Sequence, residues 1–450
     1  MRGKLMKLLN LFVKKLHGCY DYRVDFNPDV TFIYGSNGCG KTTILNITEA
    51  IITGCLFKLF AYTFDEIQLK YASSFSNDEN VILIQNSSPD RSLIVTFRNE
   101  QYVLQRIIPD SRRVPDRETR LYFEHYDFLQ NISKLFNYVY LPLNRASAVG
   151  GRFDREYFQA RRDRDHIIID DGQLIKDETT DSAIRQIESL ISQRCSIINA
   201  QLARISDSFR NNVLKSVLVT NSDVNTDELF KTILLNPNII NQLQETKEKY
   251  IKVLTDIELI TEQEAAKHGA FFDSLVEAYN GFKNKKQTDP LGFLVKLSEI
   301  ERINKMVAMA EEVEHKKADI RKPINLFLNT MNSFVYNDDD GKEIKIDATG
   351  KIYFTTKYSS KHISIQNLSS GEKQLLTFFA NLIFSVKSNS PGIFVVDEPE
   401  LSLHLSWQQV FVDKTLDINK NIQLIFATHA PEIIGHRRNK MYKLEKKFSD

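Results

Sequence analysis

The run Gly35-Ser36-Asn37-Gly38-Cys39-Gly40-Lys41-Thr42 meets the pattern G-x-x-x-x-G-K-[ST] at every fixed position, and its residue types suit the binding of a phosphate chain. Glycines let backbone N–H groups close around phosphate oxygens with no side chain in the way. Lys41 offers a point charge to the terminal phosphates, and the Thr42 hydroxyl offers a ligand to magnesium. The candidate nucleotide contacts run from Gly35 through Thr43.

A second chemical stretch lies far along the chain. Ile393-Phe394-Val395-Val396 is an apolar run that ends in Asp397 and Glu398. One carboxylate at a strand end can hold a magnesium shell while its neighbour takes a proton from an attacking water. Asp397 is assigned to the metal and Glu398 to the base. Two further stretches are ambiguous by themselves. Leu368-Ser369-Ser370-Gly371-Glu372-Lys373-Gln374 opens a predicted helix, where Ser369 could hold an anion or could simply cap the helix through a Ser-x-x-Glu box. His429 follows the apolar run Leu424 to Ala427, a place where a lone histidine is usually structural.

Phosphate chemistry needs elements that hold these groups. Val30 to Tyr34 reads as a buried strand, and Thr42 to Gly54 as a helix whose N-terminus faces the phosphates. Leu8 to Val13 and Tyr22 to Phe26 suggest an antiparallel hairpin ahead of that strand, and Asn80 to Ile84, Leu93 to Phe97 and Tyr102 to Ile108 suggest short strands. Tyr138 to Leu141, stopped by Pro142, rejoins the main sheet. Ala146 to about Asp181 reads as loop, and helical periodicity dominates from Ser182 to Asn329. Strand signals return at Phe334 to Tyr336, Glu343 to Ile346 and Lys351 to Phe354, with a helix from about Gly371 to Val386.

In this order the motifs resemble those of the ATP-binding-cassette (ABC) class of ATPases. The resemblance implies an α/β P-loop fold, a mixed sheet flanked by helices, with a helical insertion between its two halves. It gives 1–145 as the N-terminal half with a small β lobe at about 70–125, 146–329 as an Arg-rich loop and helical insertion, and 330–450 as the C-terminal half. It also implies ATP and Mg2+ as ligands and self-association, as an ATP-sandwich dimer or a higher homo-oligomer. In that sandwich Ser369 and Gly371 reach the nucleotide of the opposite protomer, Glu400 to His404 forms the dimer-contact loop, and His429 contacts the γ-phosphate. Lys41, Glu398 and His429 are then the catalytic set. Ser370 and Glu372-Lys373-Gln374 depart from the commonest signature and resemble the DNA-repair and phage-defence branches. A glutamine loop is expected too, with Gln101, Gln105 and the segment 141–145 as candidates.

About 350 residues separate Lys41 from Asp397, which disfavours a transporter ATPase. A helical insertion is similar to the SMC, RecF and double-strand-break-repair branch, yet this one is too short and broken for SMC arms. The pattern is most similar to the ATPases of the PARIS and Septu antiphage systems. Only about twenty residues follow His429, so the effector is expected to be a separate protein, a Toprim-type or HNH nuclease. DNA or a phage protein is a candidate trigger, and a RecF/SMC-like repair ATPase that clamps DNA is the alternative.

Composition agrees with a packed, soluble setting. Hydrophobic residues make up 42% of 450 residues, and 59 Lys plus Arg face 58 Asp plus Glu, so bulk charge announces neither nucleic acid nor membrane. Any anionic partner needs a local patch. Arg145 to Arg164 and Arg106 to Arg120 hold arginine clusters that read as a binding surface or as solvated, salt-bridged loop. Four scattered cysteines, no apolar span of membrane length and no leader pattern give a cytoplasmic expectation. Phe271, Phe272, Tyr279 and Phe282 approximate helical spacing and read as core.

Overall fold

The computed structural model describes residues 6–73, 79–87, 92–106, 122–123, 125–141, 149–150, 180–218, 238–256, 260–283, 290–336, 341–385 and 392–449. The chain divides into two compact units, Met1–Arg194 with Pro323–Asp450, and Cys195–Lys322.

In the larger unit β1 (Met6–Leu16) and β2 (Tyr20–Asp25) form the expected antiparallel hairpin. β3 (Val30–Tyr34) follows, buried at its first four residues, and passes through the glycine loop into α1 (Lys41–Ile52). The meander β4 (Glu66–Ser73), β5 (Glu79–Ser87), β6 (Ser92–Phe97) and β7 (Glu100–Leu104) does not stand as a lobe of its own. β4 pairs with β1 from Met6↔Ser73 to Lys14↔Glu66, so all these strands join one sheet, which a last strand β16 (Lys447–Phe448) completes in the order β16-β2-β1-β4-β5-β6-β7. The pattern explains why: Ile67, Leu69 and Tyr71 alternate with half-buried neighbours on β4, and one apolar face needs several strands and a packed layer to be covered.

A short helix, α2 (Asp127–Ser133), precedes β8 (Tyr138–Leu141) and β9 (Val149–Gly150). The arginine cluster from Arg145 to Arg164 and the arginines at 112, 113, 117 and 120 lie outside the described residues. Four helices follow: α3 (Thr180–Leu218), α4 (Ile239–Asp256), α5 (Glu262–Lys283) and α6 (Pro290–Val335). The smaller unit packs around Leu243, Phe272, Leu275, Tyr279, Ile300 and Ile303, so Phe272 and Tyr279 are core, as their spacing suggested.

Phe334 to Tyr336 is not a strand. Phe334 and Val335 close α6, and the Tyr336 N–H donates to the Asn332 carbonyl at 3.1 Å. Phe327, Met331, Phe334 and Val335 are all buried, the i, i+4, i+7, i+8 stripe of a helix, which overrode the short aromatic and β-branched run.

The chain then makes the three-stranded antiparallel sheet β10 (Glu343–Ile346), β11 (Ile352–Thr356) and β12 (Ser359–Ser364). α7 (Ser370–Ala380) runs on into a π-helical turn at Asn381–Ser385. β13 (Ile393–Asp397), α8 (Leu405–Ile418), β14 (Gln423–Ala427), the one-turn α9 (Pro431–Ile434), β15 (Met441–Lys443) and β16 (Lys447–Phe448) complete the chain.

The second sheet has the order β15-β3-β14-β13-β8-β9, and β15, β3, β14, β13 and β8 run parallel. Its inner strands are near-continuous apolar runs, as expected for strands covered on both faces. Helices α7 and α8 cover one side through aromatic contacts, Phe378 with Phe411 at 4.6 Å and Phe411 with Phe426 at 6.2 Å between ring centroids.

Gln423 ties the two sheets together. It is fully buried, its side chain accepts from Leu8 N–H at 2.8 Å, and it donates to the carbonyls of Leu8 at 2.9 Å and Asn27 at 2.8 Å. The amide therefore acts as a strand fragment beside β1, where the β1–β4 register shifts between Leu8 and Asn10. Gln423→Leu leaves two buried backbone groups of Leu8 and the partly buried Asn27 carbonyl without this partner, and each buried group left unpaired costs about 1–3 kcal/mol. Chemical denaturation is expected to show a loss of about 3 kcal/mol or more, and an unchanged midpoint would refute the tie.

Candidate functional site

The parallel strands end level. Asp397 pairs with Ala427, Ala427 with Ile33, and Ile33 with Tyr442, so everything that follows these residues emerges at one edge of the sheet. That edge of an open α/β sheet is where ligands bind.

The glycine loop is shaped by close packing. A Cβ on Gly35 would stand 2.7 Å from the Cys39 sulfur and 3.0 Å from the Leu444 carbonyl oxygen. Gly40 caps α1 at a φ of 105° and a Cβ there would meet the Tyr22 hydroxyl at 3.0 Å. Lys41 is buried and its ammonium donates to the carbonyls of Gly35 at 3.1 Å and Ser36 at 3.4 Å, which holds the cation across the mouth of the loop.

Thr42 and Asp397 meet, although 355 positions separate them: the Thr42 hydroxyl donates to Asp397 Oδ2 at 2.9 Å. The other oxygen, Oδ1, is buried and has no hydrogen-bond partner. Burial pushes the Asp397 carboxyl above its ordinary range; the Thr42 hydrogen bond opposes that rise, and the charge of Glu398 adds to it. A bare carboxylate oxygen beside a threonine hydroxyl is the donor set of a hard cation.

Glu398 sits in the left-handed region at a φ of 45°, and its N–H donates to the Ala427 carbonyl at 2.8 Å. A non-glycine residue held there costs roughly 1–3 kcal/mol and such residues cluster at functional sites. Glu398 starts the turn Pro399–Ser402. Two contacts brace that turn: Gln374 Nε2 donates to the Pro399 carbonyl at 3.2 Å, and the His429 N–H donates to Glu400 Oε1 at 2.6 Å. His429 lines a cavity of about 530 Å³ together with Tyr34, Gly35, Ser36, Thr428 and Arg438.

The structure thus gathers the loop, Asp397, Glu398 and His429 at one sheet edge. Ser369 and Gly371 lie elsewhere, at the start of α7. Ser369 is the N-cap of a complete capping box: its N–H and hydroxyl both donate to Glu372 Oε2 at 2.8 Å, and Glu372 N–H donates back to its hydroxyl at 3.3 Å. Sequence reasoning missed the bracing roles of Glu400 and Gln374. Glu400 falls in the segment that the resemblance implies as a dimer-contact loop, and no local pattern signals that its carboxylate bonds a backbone group 29 positions on. Gln101 and Gln105 lie exposed on and just after β7, and 142–148 lies outside the described residues.

The glycine loop on a strand–helix junction, backed by a strand-end carboxylate in a mixed sheet flanked by helices, defines a P-loop nucleotide-binding fold. The AAA ATPase domain family matches residues 6–434, and the chain belongs to that family. Among curated proteins it is 33% identical over 114 residues to "Retron Vc95 probable ATPase" of Vibrio cholerae serotype O1 biovar El Tor, 23% of this chain and 22% of the relative. It is 36% identical over 80 residues to "Retron Ec83 probable ATPase" of Escherichia coli, 16% of this chain and 15% of the relative. The aligned stretches thus span less than a quarter of either relative. Among solved structures, an Smc head domain with a coiled coil and joint from Pyrococcus yayanosii is similar at a TM-score of 0.38 and 12% identity, covering 99% of this chain and 98% of that one. An SmcHead bound to the C-winged helix domain of ScpA gives 0.39 and 10%, covering 98% of each. No helix among the described residues is long and apolar enough to cross a membrane.

A folded protein that raises Asp397 binds its proton more tightly than the unfolded chain does, so stability falls as pH climbs through the window that starts near 3.8. Asp397→Asn removes that cost. Denaturation curves are expected to show the variant more stable than the parent at pH 7, with the advantage vanishing near pH 3.8 and below; a less stable variant at neutral pH would contradict the assignment.

Proposed function

We propose that this chain is a Mg2+-dependent, ATP-hydrolysing ABC-type ATPase that acts as the sensor and scaffold subunit of an antiphage defence complex, holding and then releasing a separate effector nuclease. The observation that carries the nucleotide part is the pairing of Thr42 with Asp397 at 2.9 Å with the second Asp397 oxygen buried and unpartnered. Loop, hydroxyl and bare carboxylate fit Mg·ATP.

In this reading Gly35 to Thr43 wrap the phosphates with backbone N–H groups, and Lys41 leaves its two loop carbonyls for the β- and γ-phosphate oxygens. Magnesium, held by Thr42 and Asp397, would draw negative charge off the phosphate oxygens. Glu398 takes the proton of the attacking water, with its backbone fixed to β14, and His429 orients against the γ-phosphate from a loop that Glu400 holds. Ser369 and Gly371 come from a second copy, so nucleotide occupancy reports assembly. Exposed Leu401 and Leu405, 58% and 52% accessible beside the acidic turn, suit that contact.

The defence setting is supported by the two curated relatives, each named as the probable ATPase of a retron. A retron joins PARIS and Septu as a setting in which the ATPase is one component, and a Toprim-type or HNH nuclease is the effector class the chain would serve. A native pull-down from the source cell, with DNA digested away, separates this from a DNA-clamping repair ATPase: a co-purifying nuclease is expected, and ATP-dependent DNA retention without one would favour repair.

Lys41→Ala is expected to abolish nucleotide binding in a fluorescent-nucleotide titration; unchanged affinity would sink the loop assignment. Glu398→Gln should keep ATP bound, slow hydrolysis by about 10²–10⁴-fold and stabilise the ATP-joined assembly; normal turnover would rule out Glu398 as the base. Ser369→Arg should block hydrolysis while sparing binding by the single copy, and normal turnover by that variant would count against a shared site.

A further inference from the structure

If Ser369 serves the nucleotide of a second copy, its hydroxyl must donate to a phosphate, and that proton is already committed. Ser369 Oγ donates to Glu372 Oε2 at 2.8 Å, and the same oxygen accepts the Ser369 N–H at 2.8 Å. Glu372 is buried, with 9% of its side chain accessible. An unneutralised carboxylate at this point would hold the hydroxyl and repel an arriving phosphate, since like charges in a partly desolvated setting disfavour each other.

The other Glu372 oxygen is not bare. Lys342, just before β10, donates its ammonium to Glu372 Oε1 at 2.7 Å, and its side chain is only 16% accessible. The ammonium also lies 4.5 Å from the centroid of the Phe354 ring on β11, a cation–π contact that favours it over a freely rotating lysine. Thirty positions separate Lys342 from Glu372, so the pair links the three-stranded sheet to the first turn of α7.

We propose that Lys342 is a positioning residue for assembly: by neutralising Glu372 it lets the Ser369 hydroxyl exchange its carboxylate acceptor for a phosphate oxygen of a second copy's nucleotide. The inference rests on the shared-site reading above. Lys342 touches no nucleotide; it sets the charge and the hold of the group that keeps Ser369. The first turn of α7 would then be released by a phosphate only because a cation already stands behind the carboxylate. Removing the cation alone leaves a buried negative charge facing the incoming phosphate, and removing both charges leaves a neutral cap.

Charge rescue separates this from ordinary structural support. In a Glu398→Gln background with saturating Mg·ATP, the concentration at half-assembly is read by light scattering coupled to gel filtration. Lys342→Met should raise that concentration tenfold or more while the nucleotide affinity of the single copy stays within twofold, and adding Glu372→Gln should bring assembly back to within about threefold of the parent. A Lys342→Met variant that assembles normally, or a double variant as defective as the single, would overturn the role of Lys342. A Lys342→Met variant that has lost its cooperative thermal transition, with the double variant no better, would also overturn it in favour of plain support. Failure of the Glu398→Gln parent to assemble with ATP would bring down the shared-site reading itself.

Discussion

The site depends on strand register. β13, β14, β3 and β15 are aligned so that Asp397, Ala427, Ile33 and Tyr442 fall on one line, and because side chains alternate faces with a period of two, a slip of one residue would turn Asp397 away and carry Glu398 past the edge. Near-continuous apolar strands are poor at fixing their own register. Hydrogen bonds at the edge supply the pins: Glu398 N–H to Ala427 O, Thr428 N–H to Ile33 O, and Leu444 N–H to Tyr34 O, at 2.8, 3.2 and 2.8 Å. At the opposite end Gln423 fixes β14 against β1.

What the edge holds is electrostatically expensive. Asp397 is almost wholly buried with Glu398 and Glu400 as neighbours that disfavour its charge, and Lys41 is the compensating cation. Glu398 adds backbone strain. Such a cluster weakens the fold that carries it, and the cost is sensible only where a ligand with complementary charge is to be received. The surrounding aromatic packing of Phe32, Phe378, Phe411 and Phe426 supplies the stability against which the cost is set.

Much of this was legible in the sequence because the chemistry is local. A loop with fixed spacing and a strand that ends in two carboxylates announce themselves within ten residues, and the hairpin ahead of the loop within about twenty. Long-range partners do not. That β4 to β7 extend the first sheet depends on β4 finding β1, and alternation says only that an apolar face exists, not what covers it. Phe334 to Tyr336 misled because a β-prone triplet was read without the helical stripe that begins at Phe327. Glu400 and Lys342 act through bonds to atoms 29 and 30 positions away, where no spacing rule reaches, and Ser369 satisfies the capping pattern and the signature pattern with the same atoms.

The strand order also has a consequence for synthesis. β3 pairs only with β14 and β15 among the described strands, so Val30 to Tyr34 has no sheet partner until Gln423 has been made, about 390 residues later. At ribosomal speeds of about 5–20 residues per second that is roughly 20–80 s. During that time a five-residue apolar strand with both edges open must be shielded by the first sheet, by α1 or by a chaperone, because an unpaired edge of this kind recruits other chains. The phosphate loop is made long before β14 and β15, the strands that complete the sheet giving the loop its shape.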